Sequence, residues 1–429
     1  MTSLCYIDAA IHDNSGHHAN ACRQFVGEFR QRGFVVHAYG NRNQDSRFSR
    51  EQQVQPLFRH DPYIRTRGEG TLSYLVERTS FLFDLNSVWR RGPYDVMFFH
   101  SALAAQFAAV ALWLRQFRPN EAPFVAIGFD APSGRNVNSK YHYYYPPFYR
   151  KAGKLFMSCY LGRTLIYTFD SAITDDYAEL LNLPIKTMPA IHAGLREPRL
   201  RERDTDGFIT VAFLGYQRTE KGYHFIPEIA RQLLGSPFPV KLLIHNSSAV
   251  DCPVSQQLRA LSSENPRVAF VERQGDQLHW QDLLDRSDLI VLPYEPTRYR
   301  RSGSGVATEA VSDGIPMVVP PGSTMERLAI TYQGCATTFS TWDSHAVTRA
   351  IERAVANFEI LAKQAEAGAV DWRRNNGVGL FVDRFLKIAT FNTRPPAIKP
   401  RAPSMCDSVM DKVLNRLVFG RAGPVRRHN

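Results

Sequence analysis

The chain reads as an α/β protein of two Rossmann-like domains in tandem, followed by a short basic tail. Three observations predict this. Apolar strand-like runs alternate with helical patterns along residues 1–190, the same alternation restarts at about residue 208 after a charged stretch, and from Arg394 the sequence turns basic and proline-rich. With 429 residues, 44% hydrophobic and 22% charged, there is material for two buried cores, and a disordered or fibrous chain is excluded.

The first domain, 1–190, opens with the run Leu4–Ile7, a turn at Ser15-Gly16, a helical pattern from about His18 to Arg32, and the run Phe34–Ala38. Val96–His100, Phe124–Ile127 and Leu165–Phe169 follow as further strands, the last leading into helical Asp175–Leu181. Strands this uniformly apolar suit a parallel sheet covered on both faces. Glu197–Gly207 is polar and reads as a linker. The second domain, 208–390, alternates strand Ile209–Leu214, helix Tyr223–Leu234, strand Val240–His245, helix Ser255–Ser262, strand Val268–Val271, helix Trp280–Asp285 and strand Leu289–Leu292. Helix Val306–Ser312, strand Met317–Val319 and helices His345–Glu366 and Val378–Ile388 complete it. Two such domains are expected to face each other across a cleft, with ligands outside the carboxyl ends of the strands.

Several classes are set aside. Six scattered cysteines with no C-x-x-C argue against a disulfide framework or a zinc site and for a reducing cytoplasm. The start, Met-Thr-Ser-Leu-Cys-Tyr-Ile-Asp, has no basic region before an apolar stretch, so no secretory signal is read. The longest uncharged run, Val96–Leu114, is interrupted by His100, Ser101 and Gln106 and reads as strand plus Ala-rich helix rather than a membrane span. A cytoplasmic protein, peripheral at most on the inner membrane face, is the expectation.

Two segments carry chemistry. Phe213-Leu-Gly-Tyr-Gln-Arg-Thr-Glu-Lys-Gly222 is a strand ending in a glycine turn with two bases before a helix. Gly215 permits close backbone approach, and Arg218 and Lys221 can neutralise a diphosphate at the helix N-terminus. Taken alone, both bases read as ordinary surface charge on a βα loop. The second segment, Leu289 to Pro320, runs strand, polar loop, Ser302-Gly303-Ser304-Gly305, helix, Gly-Ile-Pro, strand. The Ser302–Gly305 amides form a candidate anion nest, and Glu309, a turn into the helix, is placed to accept hydrogen bonds from ribose hydroxyls.

With these residues in order, the sequence resembles the nucleotide-sugar glycosyltransferases of the GT-B fold, specifically the large group 1, or family four. Gly215…Lys221-Gly222, Asp288-Leu-Ile-Val-Leu-Pro, Ser-Gly-x-x-x-Glu309-Ala, Asp313-Gly-Ile-Pro316 and Asp371-Trp372 carry the resemblance over about Phe208–Ile388. Ser15-Gly16 and Asp95-Val-Met-Phe-Phe-His100 extend it into the first domain. The resemblance implies that Arg218 and Lys221 bind a donor diphosphate, with Gly16 and Ser302–Gly305 around it, and that Glu309 binds the ribose. Arg301 stands where the family usually carries a second glutamate, and it joins Arg300 as a candidate addition to the phosphate clamp. Phe129-Asp130 stands where an acceptor-side histidine usually follows.

The implied activity is transfer of a sugar from a nucleoside-diphosphate sugar to an acceptor hydroxyl in polysaccharide or glycolipid synthesis, with retention and without metal or other cofactor. A sugar-nucleotide 2-epimerase and a non-catalytic nucleotide-sugar-binding protein are the rivals. His100, Asp130, and His17 or His18 are the acceptor-side acid–base candidates. The Asp204-Thr-Asp206 sequence, which imitates a metal-binding D-x-D, lies in the linker and reads as solvated charge.

Two basic regions bear on the acceptor, which is expected to be a glycan, a glycolipid or a protein. Residues 131–163 hold six Lys/Arg, no acid and six tyrosines, a composition for stacking a sugar, touching anionic lipid or binding single-stranded nucleic acid, or for a plain crossover loop. The resemblance points away from nucleic acid. Arg394–Asn429 carries eight Lys/Arg against two Asp, more than half of the net charge of +11. Within it Asp407–Phe419 reads as an amphipathic helix suited to an anionic membrane surface through 407–427, or to packing on the first domain.

Overall fold

The computed structural model describes residues 1–13, 16–62, 71–118, 121–129, 146–157, 161–191, 197–247, 251–272, 277–333 and 336–389. It forms two compact units, Met1–Pro189 with the helix that begins at Val378, and Ala190–Gly377. Asp130, most of 131–163 and the whole basic tail, with the helix expected at Asp407–Phe419, lie outside the described residues.

The first unit runs β1 (Ser3–Ile7), α1 (Gly16–Gln31), β2 (Val35–Asn41), α2 (Ser46–Gln52), β3 (Val54–Phe58), α3 (Thr71–Trp89), β4 (Val96–Phe99), α4 (Ala104–Leu114), β5 (Phe124–Gly128), α5 (Pro146–Met157), β6 (Thr164–Thr168), α6 (Ser171–Leu181) and β7 (Lys186–Thr187). Its sheet has the order β3-β2-β1-β4-β5-β6-β7 with every neighbouring pair parallel. Strands β4 and β5 are buried along their whole length, as expected of a sheet covered on both faces. The uncharged run Val96–Leu114 becomes β4 and α4, and α4 is buried nearly throughout between α3 and α5. No described helix is long and apolar enough to cross a membrane. The stretch between β2 and β4, which carries almost no assignment from the sequence, folds over its described residues as α2, β3 and α3; α3 is apolar around most of its circumference and shows no clear stripe.

The second unit runs β8 (Ile209–Phe213), α7 (Ile226–Gly235), β9 (Val240–Asn246), α8 (Pro253–Glu264), β10 (Val268–Glu272), α9 (Gln277–Asp285), β11 (Leu289–Val291), α10 (Pro296–Tyr299), α11 (Gly305–Ser312), β12 (Met317–Val319), α12 (Thr324–Gln333), β13 (Thr337–Thr338), α13 (Ser344–Ala356) and α14 (Phe358–Asn375). Its six strands, in the order β10-β9-β8-β11-β12-β13, are again all parallel. The linker is tied down: Arg201 is buried and donates to the carbonyls of Leu284, Asp285 and Ser287 at the end of α9, where a helix terminus favours a cation. Asp204 accepts the amides of Asp206 and Phe208 and pairs with Lys241 of β9. Asp204 is therefore a turn and an ion pair rather than merely solvated charge, while Asp206, 72% exposed, is solvated as expected.

The last described helix, α15 (Val378–Ile388), departs from the sequence expectation. Read as part of the second domain, it packs in the first unit, with Phe381 against Phe25 and Phe98, and Phe385 against Phe29 and Phe124. An exposed Arg32–Asp383 pair at 2.7 Å borders the contact. The aromatic pair one turn apart has no alternative to burial, each ring being worth about 1.5–3 kcal/mol.

In each sheet the chain works outward from a central strand and then returns to that strand's other side, between β1 and β4 and between β8 and β11. Such reversal points leave a crevice at the carboxyl ends of the strands.

Candidate functional site

The residues singled out in the second unit gather at its reversal point. Gly215 follows β8 with φ +111°, a backbone state that favours glycine. A β-carbon there would lie 3.6 Å from Lys221 Nζ, 3.6 Å from Val306 of α11 and 3.8 Å from the Tyr294 hydroxyl beyond β11. The basic turn and the start of α11, 80 to 90 residues apart in sequence, thus meet over one atom position. Lys221 Nζ also lies 5.1 Å from the Tyr294 ring centre. Burial, reinforced by nearby Arg218, holds its pKa below the usual ammonium value. Arg218 is more open; it lies over the Tyr216 ring at 5.7 Å and 3.9 Å from Glu220.

Helix α11 is capped by Ser304, whose Oγ accepts the Ala307 amide at 3.4 Å. Thr324 Oγ1 donates to the Ser302 carbonyl at 2.5 Å, fixing the loop before the cap. A β-carbon at Gly303 or Gly305 would meet nothing within 4 Å among the described residues. Packing does not demand glycine at either, and what glycine leaves is bare backbone ahead of a helix N-terminus. Arg301 donates to the Arg300 carbonyl at 3.2 Å, and the Arg300 side chain is exposed.

Glu309 lies one turn in, its Oε2 accepting Trp280 Nε1–H at 2.5 Å. Trp280, which reads from sequence as an ordinary helix residue, lies 5.9 Å from the His245 ring, and His245 is 5.9 Å from His279. No local motif signals this aromatic group, because it is assembled from β9 and α9. Burial pushes the Glu309 carboxyl up to about 7, and Asp313 adds to the rise against the Trp280 bond.

That shift has a testable sign. Between the ordinary glutamate value and pH 7 the native protein binds the proton and the unfolded chain does not, so this group's stabilisation is full below about 4.5 and declines as pH rises to about 7. Glu309→Gln should therefore flatten the pH dependence of urea-unfolding free energy between pH 5 and 8 by on the order of 2 kcal/mol. Identical slopes for the variant and the parent protein would refute the buried-carboxyl reading.

In the first unit, the reversal point brings together Asp8, just past β1, His18 in the first turn of α1, and His100, just past β4. Ile7 and Phe99 are register partners, and the His100 amide donates to the Ile7 carbonyl at 3.3 Å. His18 Nδ1 lies 2.8 Å from Asp8 Oδ2, with the His18 and His100 rings 5.8 Å apart edge to face. Burial pushes the Asp8 carboxyl up, but the charge and hydrogen bond of His18, aided by His100, prevail and hold it below its usual range. His17 is more exposed, its ring 4.1 Å from that of His18, and Gly16 begins α1 beside them. His18 and His100 were legible as strand-end histidines; Asp8, which joins them, was not. Asp130 falls outside the described residues.

Two all-parallel α/β units of seven and six strands, each with its candidate residues at the central reversal, give the chain the GT-B fold of glycosyltransferases. No family profile and no curated protein matches the sequence. Among solved structures, sucrose-phosphate synthase from Thermosynechococcus elongatus is similar over 90% of this chain and 98% of its own, with a TM-score of 0.65 and 13% identity. HepE of Anabaena, solved with UDP and glucose, is similar over 90% of this chain and 99% of its own, with a TM-score of 0.59 and 14% identity. A Listeria monocytogenes protein assigned as a UDP-N-acetylglucosamine 2-epimerase covers 90% and 94%, with a TM-score of 0.56 and 13% identity. At such identities the likeness establishes the fold.

Proposed function

We propose that the protein is a glycosyltransferase that moves a sugar from a nucleoside-diphosphate sugar to an acceptor hydroxyl. The observation that carries the reading is the meeting of Lys221, Gly215 and the start of α11, which places an ammonium group beside open helix-terminal amides. That is a site for a diphosphate, and HepE, of the same fold, was solved with UDP-glucose. Glu309 then accepts the ribose hydroxyls, exchanging its bond from Trp280 for bonds from the ligand.

The acceptor oxygen bonds to the sugar's anomeric carbon as the bond to the diphosphate breaks, and the acceptor proton passes to the departing diphosphate oxygen. Lys221 and Arg218 offset the charge that develops on the leaving group, so no metal is assigned to the diphosphate and no cofactor to the reaction. Departure and attack on one face give retention. The acceptor side is assigned to the strand ends of the first unit, in a cytoplasmic protein of polysaccharide or glycolipid synthesis.

A panel of nucleoside-diphosphate sugars tests this. One of them should be slowly hydrolysed to nucleoside diphosphate and free sugar, and turned over faster once a matching acceptor hydroxyl is supplied. The 2-epimerase reading draws on the Listeria neighbour and on the carboxylate–imidazole group at Asp8, His18 and His100. A donor epimerised with no acceptor present would establish it and remove the transferase. Absence of any thermal shift with any nucleotide sugar would leave a protein that binds none.

A further inference from the structure

We propose that Asp8, His18 and His100 form a divalent-cation site, and that its ion is Zn²⁺. One ligand atom from each residue lies within 4.8 Å of the other two, and Asp8 and His100 are buried. Ligands about 2.1 Å from a zinc ion lie roughly 3.4 Å apart. His18 Nδ1 and Asp8 Oδ2 already stand at 2.8 Å, so the His100 ligand atom, within 4.8 Å of both, has to move in by up to roughly 1.4 Å. Two imidazoles and one carboxylate make a borderline donor set that suits zinc better than the all-oxygen shells of Mg²⁺ or Ca²⁺.

The Asp8 carboxylate and the His100 backbone are fixed, and the His100 ring makes the remaining move. Asp8 Oδ1 accepts the Ala10 amide at 3.1 Å, which turns Oδ2 toward His18; a backbone bond that orients a ligating carboxylate is a usual outer partner of a metal. The backbone of His100 packs closely on the end of β5, since a β-carbon at Gly128 would come within 2.2 Å of the His100 carbonyl oxygen. The ligands come from the ends of the two strands that flank the sheet reversal and from the helix start facing them, which is where parallel sheets place ligands. Three protein ligands leave a coordination position to water, as in an open site. At positions 8, 18 and 100 the ligands have no metal-motif spacing, so the metal-free expectation from sequence is revised for this unit alone. The proposal does not depend on the glycosyltransferase reading, and its tests need no turnover.

Full-length protein without a histidine tag is to be stripped with chelator, loaded with Zn²⁺, desalted, and assayed by elemental analysis and by competition with a chromophoric chelator. About one zinc per chain should survive desalting, and His18→Ala and Asp8→Asn should each weaken binding by at least about 100-fold. His17→Ala should retain the ion. A wild-type chain that emerges without zinc, or variants that keep it, would overturn the site and leave a plain Asp–His hydrogen bond. Should the variants fail to fold, Co²⁺ bound to the wild-type chain decides: intense visible bands of a low-coordinate nitrogen-ligated ion support the site, and the weak spectrum of hydrated Co²⁺ refutes it.

Discussion

Gly222→Ala should be among the most destabilising single-methyl changes in the second unit. Gly222 has φ +70°, and a β-carbon on it would come 2.1 Å from the Pro293 carbonyl oxygen and 3.0 Å from its carbonyl carbon. The left-handed state alone costs an alanine roughly 1–2 kcal/mol, and the contact cannot be relieved by rotating a side chain because its other half is backbone. That backbone continues β11 into the loop of Tyr294, so relief means moving either the basic turn or the strand end. A total of about 3–5 kcal/mol, a melting shift of roughly 6–20 °C, is expected. Gly235→Ala is the control: it has ordinary φ and meets nothing within 4 Å, and its effect should stay below about 1 kcal/mol. An unchanged melting temperature for Gly222→Ala would show that the basic turn and the Pro293 backbone beyond β11 do not approach as described. If the protein still folds, nucleotide affinity should fall as well, because Lys221 is the adjacent residue.

The parts of this molecule that were legible in its sequence are those whose information is local. Alternating apolar runs announce a parallel sheet because both faces must be covered. Lys221, Ser304 and Glu309 sit at fixed offsets from strand ends and a helix start, so the loop-to-helix pattern gave their positions without a tertiary model. Asp8 and Trp280 were not legible for the opposite reason. Asp8 matters through residues 10 and 92 positions further along, and Trp280 through a glutamate on another helix. Helix α15 shows the same limit in packing: its stripe of Phe381 and Phe385 declares that it must be buried, but a stripe does not name its partner. Likewise α3, apolar on most faces, offers no periodicity to read although it covers one side of α4.

Lys221→Ala should lower the rate of donor turnover more than Arg218→Ala, though both lie on one turn. On the proposed function each change removes a charge-assisted contact to the diphosphate worth about 1.5–3 kcal/mol, or roughly 10- to 150-fold. Lys221 should sit at the upper end. Its ammonium is partly buried, with its pKa already depressed by that burial, so a bound dianion relieves an existing cost and restores the full charge. Arg218 has 56% of its side chain exposed and a nearby Glu220, so water and a carboxylate already solvate what the ligand would otherwise solvate. Because both act on one diphosphate, the double variant should lose less than the sum of the two, with a coupling of about 0.5–3 kcal/mol in a double-mutant cycle. Single-turnover rates separate the two roles: a residue that binds the ground state alone changes donor affinity, whereas one that offsets leaving-group charge changes the chemical step. Strict additivity with an unchanged chemical step would return both residues to the status of surface charge and take the diphosphate away from this turn.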